Sequence, residues 1–291
     1  MNSALPQEMQ QHTYAIMDKV EGSHWWFVGR RAILETFLRK IVEDMISAPR
    51  RLDRRRLAGE PPVNSNISEA ARELRAGHPQ DSRRDASITL RILDVGCGTG
   101  ANLEMLSQFG NAEGVDVSDD ALEFCKRKGL TAQKGLAEQL PFVDESFDIT
   151  TALDVVEHLD DDVAGLKEMF RVTKKGGHSL IFVPAFMWLW GVQDDISHHR
   201  IRYTKKQIIE RVERAGFTVE RATYANFTFF TPILAGRTLM RVTGIKPESE
   251  NNVNVSALNG FFGKLFSSER FWLKNFDFPF GVSIVLTASK S

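Results

Sequence analysis

Arg91-Ile92-Leu93-Asp94-Val95-Gly96-Cys97-Gly98-Thr99-Gly100 reads as a buried strand that runs into a glycine-rich turn and then a helix. Ile92, Leu93 and Val95 form the apolar, β-branched run of a central parallel strand. Gly96, Gly98 and Gly100 let the backbone turn sharply and approach a ligand closely. The helix expected from about Asn102 to Gln108 aims its N-terminal N–H groups at that turn.

Two ligand classes compete for such a loop. With Ala101 the spacing also satisfies G-x-G-x-x-G/A, the dinucleotide fingerprint, and Asp116 lies at a suitable distance to bond a ribose hydroxyl. Asp94 separates the two. A carboxylate two residues before the first glycine repels a pyrophosphate, attracts an amino acid's ammonium, and suits a sulfonium cofactor that carries no phosphate. The loop resembles motif I of class I S-adenosylmethionine-dependent methyltransferases. The alternative role for Asp94 is to cap the loop's N–H groups.

The 291 residues suit one large α/β domain with insertions, and 42% apolar content supports a sizeable core. A net charge of −1 exerts no global pull toward nucleic acid or anionic membrane. The two cysteines, Cys97 and Cys125, make no disulfide framework, and no C-x-x-C or His/Cys cluster suggests zinc, so no metal is expected. The segment Met1 to Gln10 lacks the features of a signal peptide. Leu180 to Val192 is too short to cross a bilayer and contains Pro184. A reduced, cytoplasmic enzyme is the default expectation, with membrane association open.

The chain divides by composition into five stretches. Residues 1–48 read as an N-terminal helical arm, with Ile33, Leu34, Phe37, Leu38 and Ile41 at helical spacing. In it, Trp25 and Trp26 either pack the arm onto the sheet or line the acceptor pocket with Arg30 or Arg31. Residues 49–87 are arginine-rich and poor in large apolar side chains, which predicts a disordered insert with a short helix from Ser68 to Arg75. Residues 88–224 carry alternating strands and helices, the pattern of a doubly wound parallel sheet. Residues 225–279 concentrate many of the chain's 20 phenylalanines in two apolar helices. Residues 280–291 close the chain with a last strand.

Within the core, Asp116 ends the second strand, Ser118 caps a helix through Lys128, and Phe147 to Leu153 is the fourth strand. Asp160 to Arg171 reads as a helix, Lys174 to Gly177 as its stop and turn, and His178 to Val183 as the fifth strand. Asp154-Val155-Val156-Glu157-His158 is similar to the methyltransferases' D-V-x-E-H segment, beyond a strand end where ligands sit in open α/β sheets. His158 is either a ligand contact or a capping histidine. Further on, Asp194 to Thr204 resembles a loop, D…H-x-x-R-Y-[ST], of a bacterial type 11-like branch, with His199, Arg202 and Tyr203 in register.

The resemblance covers about residues 88–223 and the last strand. It implies a seven-stranded, mostly parallel Rossmann-like sheet, with N-terminal helices, a helical insertion before the last strand, and that strand antiparallel between the fifth and sixth. It implies S-adenosyl-L-methionine as cofactor, held by Asp94, Gly96, Cys97, Gly98, Gly100, Asp116, Val117, Ala137, Asp154 and His158. Leu136 stands where the family usually has an acidic residue for the adenine amino group, which leaves that contact to backbone near Ala137. A catalytic set of His199, Arg202, Tyr203 and Asp195 follows. His199 would act as base, with an unperturbed pKa of about 6.5, oriented by Asp194 or Asp195. Arg202 would instead clamp an anionic acceptor. These three loop residues also make sense as a structural hydrogen-bond network.

The implied reaction is methyl transfer to a small-molecule or lipid-linked acceptor, at oxygen ahead of nitrogen or carbon. Nucleic acid is not expected, since the Asn/Asp-Pro-Pro-aromatic signature is absent where Asp154-Val155-Val156-Glu157 stands. The phenylalanine-rich helices are read as a lid, a lipid or membrane-facing surface, or a homodimer face. A nicotinamide-dependent oxidoreductase and a catalytically silent cofactor-binding module remain as alternatives.

Overall fold

The computed structural model describes residues 11–57, 89–244 and 256–291. Seven strands form one sheet: β1 (Leu90–Val95), β2 (Gly110–Asp116), β3 (Ala132–Lys134), β4 (Phe147–Leu153), β5 (Thr173–Pro184), β6 (Thr218–Ala225) and β7 (Ser283–Ser289). Their order is β3-β2-β1-β4-β5-β7-β6. The pairs from β3 through β5 are parallel, and β7 runs antiparallel to both β5 and β6. This is the doubly wound, seven-stranded sheet expected from the sequence.

Alternate residues of the central strands feed two separate cores. Leu93, Ile181, Val183, Ile284 and Leu286 face α5 (Asp162–Val172) and α7 (Lys205–Arg214) through Leu166, Met169, Ile208 and Val212. Ile92, Leu180, Phe182 and Val285 face the opposite side. There Ile33, Leu34, Phe37, Leu38 and Ile41 of α2 (Trp25–Leu57) cover the sheet. Polar residues set the helix starts. Ser118 accepts from Ala121 N at α4 (Asp119–Arg127), and Thr204 forms a capping box with Gln207 at α7. Two short helices complete the core, α3 (Ala101–Leu106) after the glycine loop and α6 (Val192–Ile196) after β5.

The arm begins with α1 (Gln11–Glu21), and the insertion consists of α8 (Phe230–Thr243) and α9 (Ser256–Leu273). Helix α9 packs along α2 and buries Phe266 and Leu273 completely. Gly29 makes that approach feasible, since a Cβ there would stand 2.2 Å from the Phe266 ring. Trp25 lies at the same junction, with ring centroids 4.5 Å from Phe229 and 6.0 Å from Phe266.

Two local expectations give way. Helix α2 does not stop where the composition changes at Pro49 but continues to Leu57. The arginines and leucines of that stretch are good helix formers, and their propensity prevails over the proline. The expected helix at residues 68–75 lies outside the described residues. Lys174 to Gly177 is not a turn but the start of β5. Gly176 N donates to Lys290 O at 2.7 Å and Lys290 N to Gly177 O at 2.9 Å, so the chain's end supplies a pairing partner that local sequence does not reveal.

Candidate active site

The glycine loop is fastened to β2. Gly96 N and Cys97 N both donate to Val115 O, at 2.8 and 3.1 Å. Gly96 has φ +67°, and a Cβ on it would lie 2.4 Å from Val155 Cγ2. Gly98 has φ +52° with nothing within 4 Å of where its Cβ would project, so the loop's outer face is open to a ligand. Asp116 holds this shape: Oδ2 accepts from Gly98 N at 2.8 Å and Oδ1 from Ser118 N at 3.0 Å. Val117 follows, half-buried.

Asp94 is wholly buried under the loop. Its Oδ1 accepts the Thr151 hydroxyl at 2.6 Å, while Oδ2 has no hydrogen-bond partner. Burial raises its pKa to about 7, against the pull of Thr151 and of the Arg30 charge. Both cysteines are buried beside the same turn, with Cys125 Sγ donating to Gly98 O at 3.3 Å.

The N-terminal arm closes over this region. Arg30, 4% exposed, pairs with Asp154 at 2.8 Å and donates to Asn102 at 3.3 Å. Its guanidinium lies 5.3 Å from the ring centres of both Trp26 and Phe182. The Thr99 hydroxyl donates to the buried Glu21 carboxylate, and Arg31 donates to the Glu21 carbonyl. Lys128 joins Asp18 at 2.7 Å to the Thr99 carbonyl at 3.1 Å. Of the adjacent tryptophans, Trp25 packs α2 on the insertion, and Trp26 backs the arginine that reaches Asp154.

Asp154, at the end of β4, is in the left-handed region with φ +59°, an unusual conformation for a non-glycine residue. Its N–H donates to Phe182 O at 2.9 Å, which ties the bend to β5. The next turn, Val156–His158, carries Glu157, wholly buried with neither carboxylate oxygen hydrogen-bonded. Burial pushes the Glu157 pKa well up, and the neighbouring Asp154 charge adds to the effect. His158 is driven the other way, to about 3, because burial disfavours its protonated form.

The loop after β5 brings His199 to the same place. Its ring centre lies 4.7 Å from that of His158, and its Nε2 lies 4.0 Å from Glu157 Oε1. Its Nδ1 is 2.8 Å from Asp194 Oδ1. Burial alone would raise the Asp194 pKa, but the His199 hydrogen bond and the Arg202 and Arg237 charges outweigh it and hold the group at about 2. An ionised carboxylate only accepts, so Nδ1 carries a proton and the ring is held with Nε2 turned toward Glu157.

The predicted catalytic set is not one cluster. His199 faces the site, and its partner is Asp194, not Asp195. Asp195 is exposed and accepts from Trp190 Nε1 at 2.9 Å. Arg202 has its donors committed to Ala185 O (2.8 Å), Asp194 (2.7 Å) and Val282 O (3.0 Å), which locks the loop to the start of β7 and leaves no fork for an acceptor. Tyr203 is fully buried, with its hydroxyl donating to Asp162 at 2.8 Å, and burial pushes its pKa up. Ala137, within the segment assigned to adenine, has its side chain buried in the core beside Gly165. Glu21 escaped sequence reasoning, because a lone acidic residue at a helix end carries no signal of a contact 78 positions away.

Residues 93–181 match a family model described as a methyltransferase domain. That stretch carries a methyltransferase domain, and the sheet around it has the fold of class I methyltransferases. Members of this class take the methyl group from S-adenosylmethionine. Over 98 residues, 32% of this chain and 41% of the relative, the sequence is 35% identical to demethylmenaquinone methyltransferase of Chlorobaculum parvum. Over 159 residues, 50% of this chain and 46% of the relative, it is 30% identical to 2-methyl-6-phytyl-1,4-hydroquinone methyltransferase 2, chloroplastic, of Oryza sativa subsp. japonica. The chain thus spans less than half the length of these curated relatives. A solved SAM-dependent methyltransferase of Thermotoga maritima, described as a possible histamine N-methyltransferase, aligns over 98% of this chain and 100% of its own. With a TM-score of 0.52 and 17% identity, that likeness concerns the methyltransferase fold.

Proposed function

We propose that the protein transfers the methyl group of S-adenosylmethionine to oxygen of a small-molecule or lipid-linked acceptor. The observation that carries this reading is the unpartnered, wholly buried Asp94 Oδ2 at the end of β1, in the strand that leads into the glycine loop. A buried carboxylate without a partner calls for a cation, and the amino-acid ammonium of this cofactor is one. A diphosphate at the same loop would face repulsion. Asp116, fixed against the loop by Gly98 N and Ser118 N, ends β2 where the cofactor's ribose would lie.

When bound, the cofactor supplies a methyl carbon already activated by its sulfonium. The chain's own residues hold the reactants in line and dry. Arg30 draws the arm down on Asp154, and Asp94 fixes the amino-acid end. His199, oriented by Asp194, lies with Glu157 at the acceptor end. A hydroxyl acceptor gives up a proton during transfer, and an imidazole held in place there supports oxygen as the methylated atom.

The lipid-linked class draws support from the insertion. Leu239, Val242, Phe261 and Phe271 are 62%, 80%, 62% and 69% exposed on α8 and α9. Relatives named for a phytyl hydroquinone and for a sterol point the same way. Among the described residues, no helix is long and apolar enough to cross a membrane.

Calorimetric titration with S-adenosylhomocysteine tests the cofactor half. One equivalent is expected to bind the wild type, with binding lost in Asp116→Ala. An absence of binding by the wild type, or equal binding by the variant, would overturn the reading. Labelled cofactor incubated with host lipid and small-molecule extracts tests the acceptor half, where label is expected in a product whose acceptor carries a free hydroxyl.

A further inference from the structure

We propose that Glu157, His158 and His199 bind a divalent first-row transition metal ion of the Mn²⁺, Fe²⁺, Co²⁺ and Zn²⁺ class. One donor atom from each of the three lies within 4.8 Å of the others. Ligands that share an ion at roughly 2.0–2.2 Å stand about 3–4 Å apart, so the side chains close on a common centre with shifts of about 1 Å.

Three features converge there. Glu157 is 0% exposed, and both of its oxygens lack a hydrogen-bond partner. A buried carboxylate in that state is costly, and the nearby Asp154 carboxylate makes it more so. The nearby guanidiniums are engaged elsewhere, Arg30 with Asp154 at 2.8 Å and Arg202 with Asp194 at 2.7 Å. His199 has the second partner that metal-bound histidines have: Asp194 holds Nδ1 at 2.8 Å, which fixes the tautomer and presents Nε2 toward Glu157.

Two imidazoles with one carboxylate favour a borderline cation over Mg²⁺ or Ca²⁺, which prefer shells of oxygen. The spacing hides the site from sequence inspection. Two ligands are adjacent on one turn after β4, and the third comes 41 positions later from the loop after β5. The inference goes beyond methyl transfer and stands without it. If transfer to oxygen occurs at this end of the sheet, the cation would be a place to hold that oxygen.

The test uses the full chain without a histidine tag, stripped by chelator and titrated with Mn²⁺, with free ion followed by electron paramagnetic resonance. One ion per chain is expected. Affinity should fall about tenfold or more in each of Glu157→Gln, His158→Asn and His199→Asn, with folding checked by near-ultraviolet circular dichroism. Asp116→Ala should lose S-adenosylhomocysteine yet keep the metal, which separates this proposal from the cofactor reading. His158 is only partly buried, so its variant keeps the test alive if Glu157→Gln does not fold. Failure of the folded wild type to bind Mn²⁺, unchanged affinity in the folded variants, or equal displacement by Mg²⁺ would overturn it.

Discussion

The two ends of the site are built by different means. At the cofactor end, backbone does most of the work: a loop of glycines tied to Val115 O, one carboxylate beneath it and one beside it. At the end proposed for the acceptor, side chains from residues 154–158 and 194–203 hold one another, with Asp194 bonded to His199, Arg202 and Gly191 N at once. A backbone cradle tolerates loss of single side chains better than a closed polar network does, because removal of one network member leaves the others buried and unpaired.

The comparison breaks hardest at Asp194. Asp194→Ala should cost about 3–5 kcal/mol of stability by stranding the Arg202 charge, measured by urea unfolding. A loss under about 1 kcal/mol would mean the acceptor loop is not held as described. The depressed Asp194 pKa carries a pH signature. Its stabilisation should be complete above the ordinary 3.8 and be lost as pH falls through about 2.

Two glycines sharpen the contrast. Gly96→Ala meets Val155 at 2.4 Å in a left-handed conformation and should lower stability by roughly 2–4 kcal/mol. Gly98→Ala meets nothing and should cost only about 1 kcal/mol, yet weaken S-adenosylhomocysteine binding severely, because its Cβ fills the face the ligand approaches. Equal stability losses, or a Gly98→Ala that binds normally, would contradict this geometry.

The smallest effect is a pH dependence of cofactor binding. Asp94 titrates at about 7 in the free protein because burial disfavours its charge. A bound ammonium favours the carboxylate, so binding releases a proton below that pH. Affinity should therefore rise with pH up to about 7 and flatten above it, by at most about tenfold per unit. The sign for the free protein's own stability is opposite. A carboxyl raised from 3.8 favours the protonated native state, a contribution lost as pH rises toward 7.

What could be read from residues alone follows the same division. The glycine loop, Asp116 and the caps at Ser118 and Thr204 are local in sequence, since spacing and side-chain type state their geometry. The place of the last strand, antiparallel between the fifth and sixth, followed from the resemblance carried by those motifs. The contacts that shape the acceptor end are long-range: Arg30 reaches Asp154 across 124 positions, and His199 meets Glu157 across 42. Asp194 and Asp195 are indistinguishable as letters, and only the turn of α6 sends one inward to His199 and the other out to Trp190. Arg202 and Tyr203 matched a motif, but burial assigns their polar groups to loop architecture.

The most direct measurement of the central claim is a paired titration of the wild type at pH 8 with S-adenosylhomocysteine and with NAD⁺. One equivalent of the sulfur nucleoside should bind, with no heat from the dinucleotide. Binding of NAD⁺ with none of S-adenosylhomocysteine would show that the loop over Asp94 was built for phosphates.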